Sequence, residues 1–203
     1  MVKAINVIIL GFLWATGVAL YITGQDIQFS EQSQFVEKTL LHWPKPMLSF
    51  LIPCLAIFSI VLLKLFERWD KGAIKAIDHT AILLFMLFVH LGIFLRLQFF
   101  ILDGIAYGLT MSVMSLCYYL HFRLRQIPPN RLIGVRLPWT MNSMEVWRKT
   151  HDKMSVWMMP LFWMGLVVLI FPRLVGVYLI TFVVVNFLGI PYSYWLHRRQ
   201  NSA

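Results

Sequence analysis

The stretch NRLIGVRLPWTMNSMEVWRKTHDK, residues 130–153, is both long and polar, and it separates two blocks of nearly uninterrupted apolar sequence. Its reading decides the fold. If the blocks on either side cross a membrane, a charged insert bearing Gly, Pro and Trp is where recognition or chemistry concentrates.

Working outward, 59% of the 203 residues are apolar and 13% are charged. Apolar runs of roughly 20 residues recur, the length that spans a bilayer. The expected fold is all-α, a polytopic membrane protein with six transmembrane helices: Ala4–Thr23, Met47–Phe66, Thr80–Leu102, Gly104–Phe122, Met154–Phe171 and Leu174–Trp195. The short Pro172-Arg173 turn makes spans five and six a tight hairpin. Two regions follow, an N-terminal four-helix membrane region over residues 1–122 and an insert-plus-hairpin region over residues 123–203.

A net charge of +9 would point to nucleic acid in a soluble chain, but here it is spread over the loops between spans. With both termini in the cytoplasm, only Lys38, Lys45, Arg96 and Arg173 lie outside, and the other fourteen of the 18 Lys and Arg lie inside. This is the positive-inside pattern. Met1–Gly24 resembles a signal peptide in its lysine and its small residues, yet its apolar run has full span length, so it reads as an uncleaved first helix. The segment Gln25–Pro46, with His42 and Trp43, is the long external loop where an extracellular ligand would be met.

Within the spans, Gly11, Ala15 and Ala19 line one side of the first helix, and Gly104, Gly108 and Ser112 one side of the fourth. Small residues at that spacing let backbones approach closely. Pro53 and Pro160 should kink spans two and five. Cys54 and Cys117 sit in apolar runs without metal-ligand spacing and read as small core residues. His90 and Arg96 are the costly intramembrane residues of span three. His90 is expected to make an interhelical hydrogen bond, with a ligand or proton role as the alternative, and Arg96 to snorkel outward.

In the insert, Pro128-Pro129 stops the fourth helix, and Asn130–Trp139 keeps no helical period, so it reads as an extended segment. Asn142 is expected to cap a new helix, with Glu145 three residues on completing a capping box. On that helix Met144, Trp147, His151 and Met154 share one face, and Glu145, Arg148, Lys149 and Asp152 the other. Pairs such as Glu145 with Lys149 contribute only about 0.3–0.5 kcal/mol each. The apolar face should pack on Ile133, Val135, Leu137 and Trp139, with Arg136 held near Glu145 or the helix of span five, giving a structured cytoplasmic cap between helices four and five.

Asn130, Ile133-Gly134-Val135-Arg136, Pro138-Trp139-Thr140, Asn142, Glu145-Val146-Trp147 and Lys149-Thr150-His151 resemble the signature loop of the SdpI-type immunity-protein family, N-x-x-IGIRTPWTL followed by E-x-W-x-K-T-H. Leu137 stands where that family usually has Thr, and Asp152 where a basic residue is common. The resemblance implies a multi-pass protein of the bacterial plasma membrane. It would give bacteriocin immunity, that is, resistance to a secreted toxin peptide, and would signal by holding a repressor at the membrane. Carried onto this chain, the motif or partner-binding positions are Asn130, Gly134, Arg136, Pro138, Trp139, Thr140, Glu145, Trp147 and His151. The implied partners are membrane lipid, a toxin peptide outside and a cytoplasmic regulator inside, with no cofactor and no direct nucleic acid.

Two other classes compete with this non-enzymatic reading. A membrane-embedded enzyme at the inner face would draw on His121, His151, His197, Glu145 and Asp152, but these lack a recognised zinc or paired-carboxylate spacing. A small-solute or lipid transporter would need polarity at depth, where only His90, Arg96 and Asn186 are found.

Overall fold

The computed structural model describes residues 2–23, 45–69, 76–99, 103–130 and 133–201. Among them there are seven α-helices and no strand. The helices are α1 (Val2–Thr23), α2 (Lys45–Trp69), α3 (Ala76–Phe99), α4 (Gly104–Arg123), α5 (Pro138–Met141), α6 (Met144–Ile170) and α7 (Val175–Asn201). A single 3-10 turn, Leu124–Gln126, ends α4, and another, Pro172–Leu174, joins α6 to α7. The external loop falls almost wholly outside the described residues, as does the side chain of Arg96.

Five helical segments are long and apolar enough to cross a membrane: Lys3–Ile22, Ser49–Arg68, Asp78–Leu95, Met144–Ile170 and Pro172–Gln200. The helix α4 has comparable length but is not among them, being diluted by Gly, Ser, Thr, Tyr and His. Large apolar side chains lie bare on the surface, including Ile8, Ile22, Ile170 and Ile180 at 66–72% exposure. In water such surface would be costly, whereas against acyl chains it costs nothing. The chain is a multi-pass membrane protein.

The chain divides into two compact units, one of residues 1–63 and 76–112, the other of residues 64–75 and 113–203. In the first, Ile9, Leu13, Ala56 and Leu83 form the core, drawn from α1, α2 and α3. The packing side of α1 holds Leu13, Gly17 and Leu20, not the expected Gly11, Ala15 and Ala19: Gly11 and Ala15 are exposed, and nothing lies near Gly11. A methyl group on Gly17 would meet the Ser49 carbonyl at 2.7 Å. That carbonyl is the one Pro53, four residues on, cannot bond within α2. The small-residue face of α4 behaves as its spacing predicts. Gly108 abuts Gly92 of α3 closely enough that a Cβ on either would strike the other helix's backbone, and Ser112 donates to the Phe85 carbonyl at 3.0 Å.

His90 departs from expectation. It is fully buried, and neither ring nitrogen has a hydrogen-bond partner among the described residues. Cys54 is exposed and only Cys117 is a core residue.

In the second unit Val113, Met114 and Cys117 of α4 pack with Met158, Leu161 and Val168 of α6 and Tyr178 of α7. Gly165 lets these helices close up, because a Cβ there would fall on the Met114 side chain and 2.9 Å from the Tyr178 hydroxyl. The charges of α6, Glu145, Arg148, Lys149, Asp152 and Lys153, all precede Met154. Its uncharged part, Met154–Ile170, is about 25 Å long at helical rise, close to the thickness of a hydrocarbon core.

Candidate functional site

The polar insert folds into a knot around one imidazole. After the 3-10 turn that ends α4, Asn130 closes the chain on itself: its Oδ1 accepts the Ile133 amide at 2.8 Å, and its Nδ2 donates to the Pro128 carbonyl at 2.8 Å. Asn130 is buried, so these bonds satisfy the side chain as well as the loop. The two prolines remove amide donors here, and Asn supplies the local bonding in their place.

Gly134 follows with φ of 114°, a conformation that L side chains rarely adopt. A Cβ at this position would also land on Nε2 of His151. Two independent constraints therefore require glycine, and the close approach brings the next amide, Val135 N–H, onto Nε2 at 3.1 Å. The other ring nitrogen, Nδ1, lies 2.7 Å from the Trp147 carbonyl. A carbonyl can only accept, so Nδ1 carries the proton and Nε2 is the acceptor: the ring is neutral with one tautomer fixed. The ring is fully buried, which holds its pKa below the ordinary imidazole value.

Trp147 stacks on His151 with ring centroids 4.1 Å apart, and its Nε1 donates to the Ile127 carbonyl at 2.8 Å. Leu124, Ile127, Trp147 and Met154 form the small core beneath, with Ile133 and Val135 packed against it. Ile133 and Val135 of the extended segment pack on this helix as the sequence predicts, whereas Trp139 packs on α7. Met144 is the exception, at 65% exposure; the buried stripe instead begins with Val146 and Trp147.

Thr140 locks the next stretch. Its hydroxyl accepts the Leu137 amide at 2.9 Å and lies 2.6 Å from the Val135 carbonyl, to which it donates. Pro138 occupies the first turn of α5, where the absence of an amide costs nothing. Trp139 reaches α7: its Nε1 donates to Ser193 Oγ at 3.1 Å, and its ring lies against Tyr194 and His197. Gly189 leaves room on α7 for Val135, since a Cβ there would meet Val135 at 3.1 Å and crowd the Met154 sulfur.

The cap of α6 is Ser143, which accepts the Val146 amide at 3.3 Å, and not Asn142. Asn142 is used up in closing α5, its amide bonded to the Pro138 carbonyl at 3.1 Å, so the helix begins one residue later. Glu145 consequently makes no capping box. It pairs with Lys149 and accepts from Gln200 of α7, which pulls its pKa below the usual carboxylate value. Arg136 is exposed beside Leu137 and the α7 residues Asn186 and Phe187.

The structure thus brings the buried Asn130, Thr140, Trp147 and His151 together, with the exposed Gly134 set against the His151 ring, ties Trp139 to α7, and leaves Arg136 and Glu145 on the surface. His90 and Arg96 belong to the other unit. Sequence reasoning missed Ser143, Ser193, Gly189 and Gln200, and the link from α4 in which Arg125 Nε donates to Ser155 Oγ at 2.6 Å and His121 Nδ1 lies 2.8 Å from the Ser155 carbonyl. Apart from Ser143, a favoured cap residue, none of these sits in a recognisable local pattern. Among the described residues no three His, Cys, Asp or Glu side chains cluster as metal ligands would.

The model of the SdpI/YfhL protein family matches residues 126–194, from the end of the 3-10 turn after α4 through most of α7. Neither curated proteins nor solved structures give a match.

Proposed function

We propose that this chain is an integral membrane immunity protein of SdpI type, giving its bacterial cell resistance to a secreted toxin peptide. It crosses the plasma membrane six times with both termini in the cytoplasm, α4 being the least apolar span. The observation that carries the reading is the division of labour within the family-like motif. Asn130, Thr140, Trp147 and His151 are buried and hold the backbone, and Arg136, in the same ordered segment, is exposed. A rigid scaffold that displays one guanidinium is the arrangement expected of a recognition element.

The inner face offers a second surface for a cytoplasmic regulator such as a repressor. A cavity of about 400 Å³ between the start of α6 and the end of α7 is lined by Val146, Lys149, Leu196, Arg199 and Gln200. Its cationic rim and apolar floor suit an acidic, amphipathic segment.

The test is a susceptibility assay of cells with and without the protein, challenged with the secreted peptide of the producing strain. Protection that depends on the protein is the predicted outcome. Equal killing of both strains, with the protein demonstrably in the membrane, would remove the immunity role.

A further inference from the structure

His90 is fully buried on α3, and neither of its ring nitrogens has a hydrogen-bond partner among the described residues. A neutral imidazole offers one donor and one acceptor. An apolar side chain would fill the position without leaving polar atoms unpaired, so the ring calls for a partner.

The register of the first unit shows which groups share its level. Asn6 and Thr80, each the fifth residue of its helix, bond at 2.7 Å and pair α1 with α3. Thr16 and His90, each the fifteenth, therefore come level. On the other flank, Ser59 of α2 has its Oγ 3.9 Å from the Met86 sulfur. His90 stands one turn beyond Met86 on the same face, and a helical side chain leans back towards the N-terminus, which brings the ring towards Ser59. His90 also shares its face with Leu83 and Leu87, which pack in the core drawn from α1 and α2. The ring is thus aimed between those two helices, away from the Gly92 face that meets α4.

Thr16 and Ser59 commit their hydroxyl protons to their own helices. Thr16 Oγ1 donates to the Phe12 carbonyl at 2.9 Å, and Ser59 Oγ to the Leu55 carbonyl at 2.7 Å. Each oxygen keeps lone pairs that can accept. Leu13, Ala56 and Leu83, which fill the core beside them, are fully buried and apolar, so an ion here would lack a counter-charge.

We infer that the core of the first unit holds internal water, hydrogen-bonded to the His90 ring and to the hydroxyl oxygens of Thr16 and Ser59. Water is the ligand this set selects. It is neutral and small enough for a close-packed helical core, it accepts from the ring N–H, and it donates to the bare ring nitrogen and to the hydroxyl oxygens. One polar site then links α1, α2 and α3. The inference is independent of the immunity reading, because it concerns the resting protein in its own membrane.

The experiment is proton-detected solid-state NMR of the full chain in lipid bilayers, isotope-labelled at the histidine nitrogens. His90→Leu, or His90→Gln where the first does not fold, identifies the His90 ring signals by their loss. In the wild type the His90 ring N–H should show a cross-peak to water protons and should exchange in heavy water. Thr16→Val and Ser59→Ala each delete an acceptor and should weaken that cross-peak, while Thr181→Val, on α7 in the other unit, should leave it unchanged. Thermal melts confirm that each variant is folded. A His90 ring whose cross-peaks run only to side chains or acyl chains would overturn the assignment. So would a water cross-peak indifferent to both Thr16→Val and Ser59→Ala.

Discussion

Nε2 of His151 accepts the backbone amide of Val135 at 3.1 Å, across a gap that exists only because residue 134 has no side chain. This one bond joins the extended segment to the helix that enters the membrane, and its removal has a predictable cost. His151→Ala leaves the half-buried Val135 amide without its acceptor and strips the stacking surface from Trp147. The cost is about 2–4 kcal/mol, or several degrees in Tm for a chain of this size. A thermal melt in detergent measures it; an unchanged Tm would show that the amide is not relying on the imidazole.

Two glycines should respond oppositely to alanine. Gly134→Ala combines a φ of 114° with a Cβ placed on the imidazole, and should destabilise by well over 1 kcal/mol. Gly176→Ala, in helix α7 with nothing within 4 Å of the new methyl, should stabilise by about 0.5–1 kcal/mol. Paired melts of the two variants check the sign as well as the size.

Acid should loosen the knot. Because burial depresses the His151 pKa below 6.5, the folded state favours the neutral ring more than the unfolded chain does. The associated stability is complete above about pH 6.5 and is lost as pH falls through that value towards the lower folded pKa. Protonation would also turn Nε2 from an acceptor into a donor facing the Val135 N–H. Melts at pH 7.5 and 5.5 should show a fall in the wild type that is absent in His151→Asn. Parallel falls in both would assign the acid sensitivity to another group.

Trp139→Phe keeps the ring against Tyr194 and His197 but removes the bond to Ser193. It should cost about 0.5–1.5 kcal/mol. In a double-mutant cycle with Ser193→Ala, the second substitution should add little once the first is made. Additive losses would show that the two side chains act separately.

Much of the architecture was legible because membrane spans advertise themselves by length and apolarity. The α6–α7 hairpin, the break at Pro128-Pro129 and the packing of Trp147 and His151 against Ile133 and Val135 all follow from local pattern. What was not legible depends on choices between neighbours or on distant partners. Asn142 and Ser143 are both good caps, and only the closure of α5 decides between them. The role of Gly189 depends on Val135 being packed against it, which no periodicity reveals. On α1, Gly11-Ala15-Ala19 and Leu13-Gly17-Leu20 are equally plausible packing faces by spacing. The helix α2, whose Ser49 carbonyl, freed by Pro53, sits against Gly17, selects the second.

The central claim is that the buried knot exists to present Arg136. The most direct measurement is protection against the secreted peptide by the Arg136→Ala variant, compared with wild type at matched levels in the membrane. Arg136 is exposed, so the variant should fold, and the account predicts that protection is lost. Full protection by a folded Arg136→Ala protein would contradict it, and would leave the motif as a purely structural joint between α4 and α6.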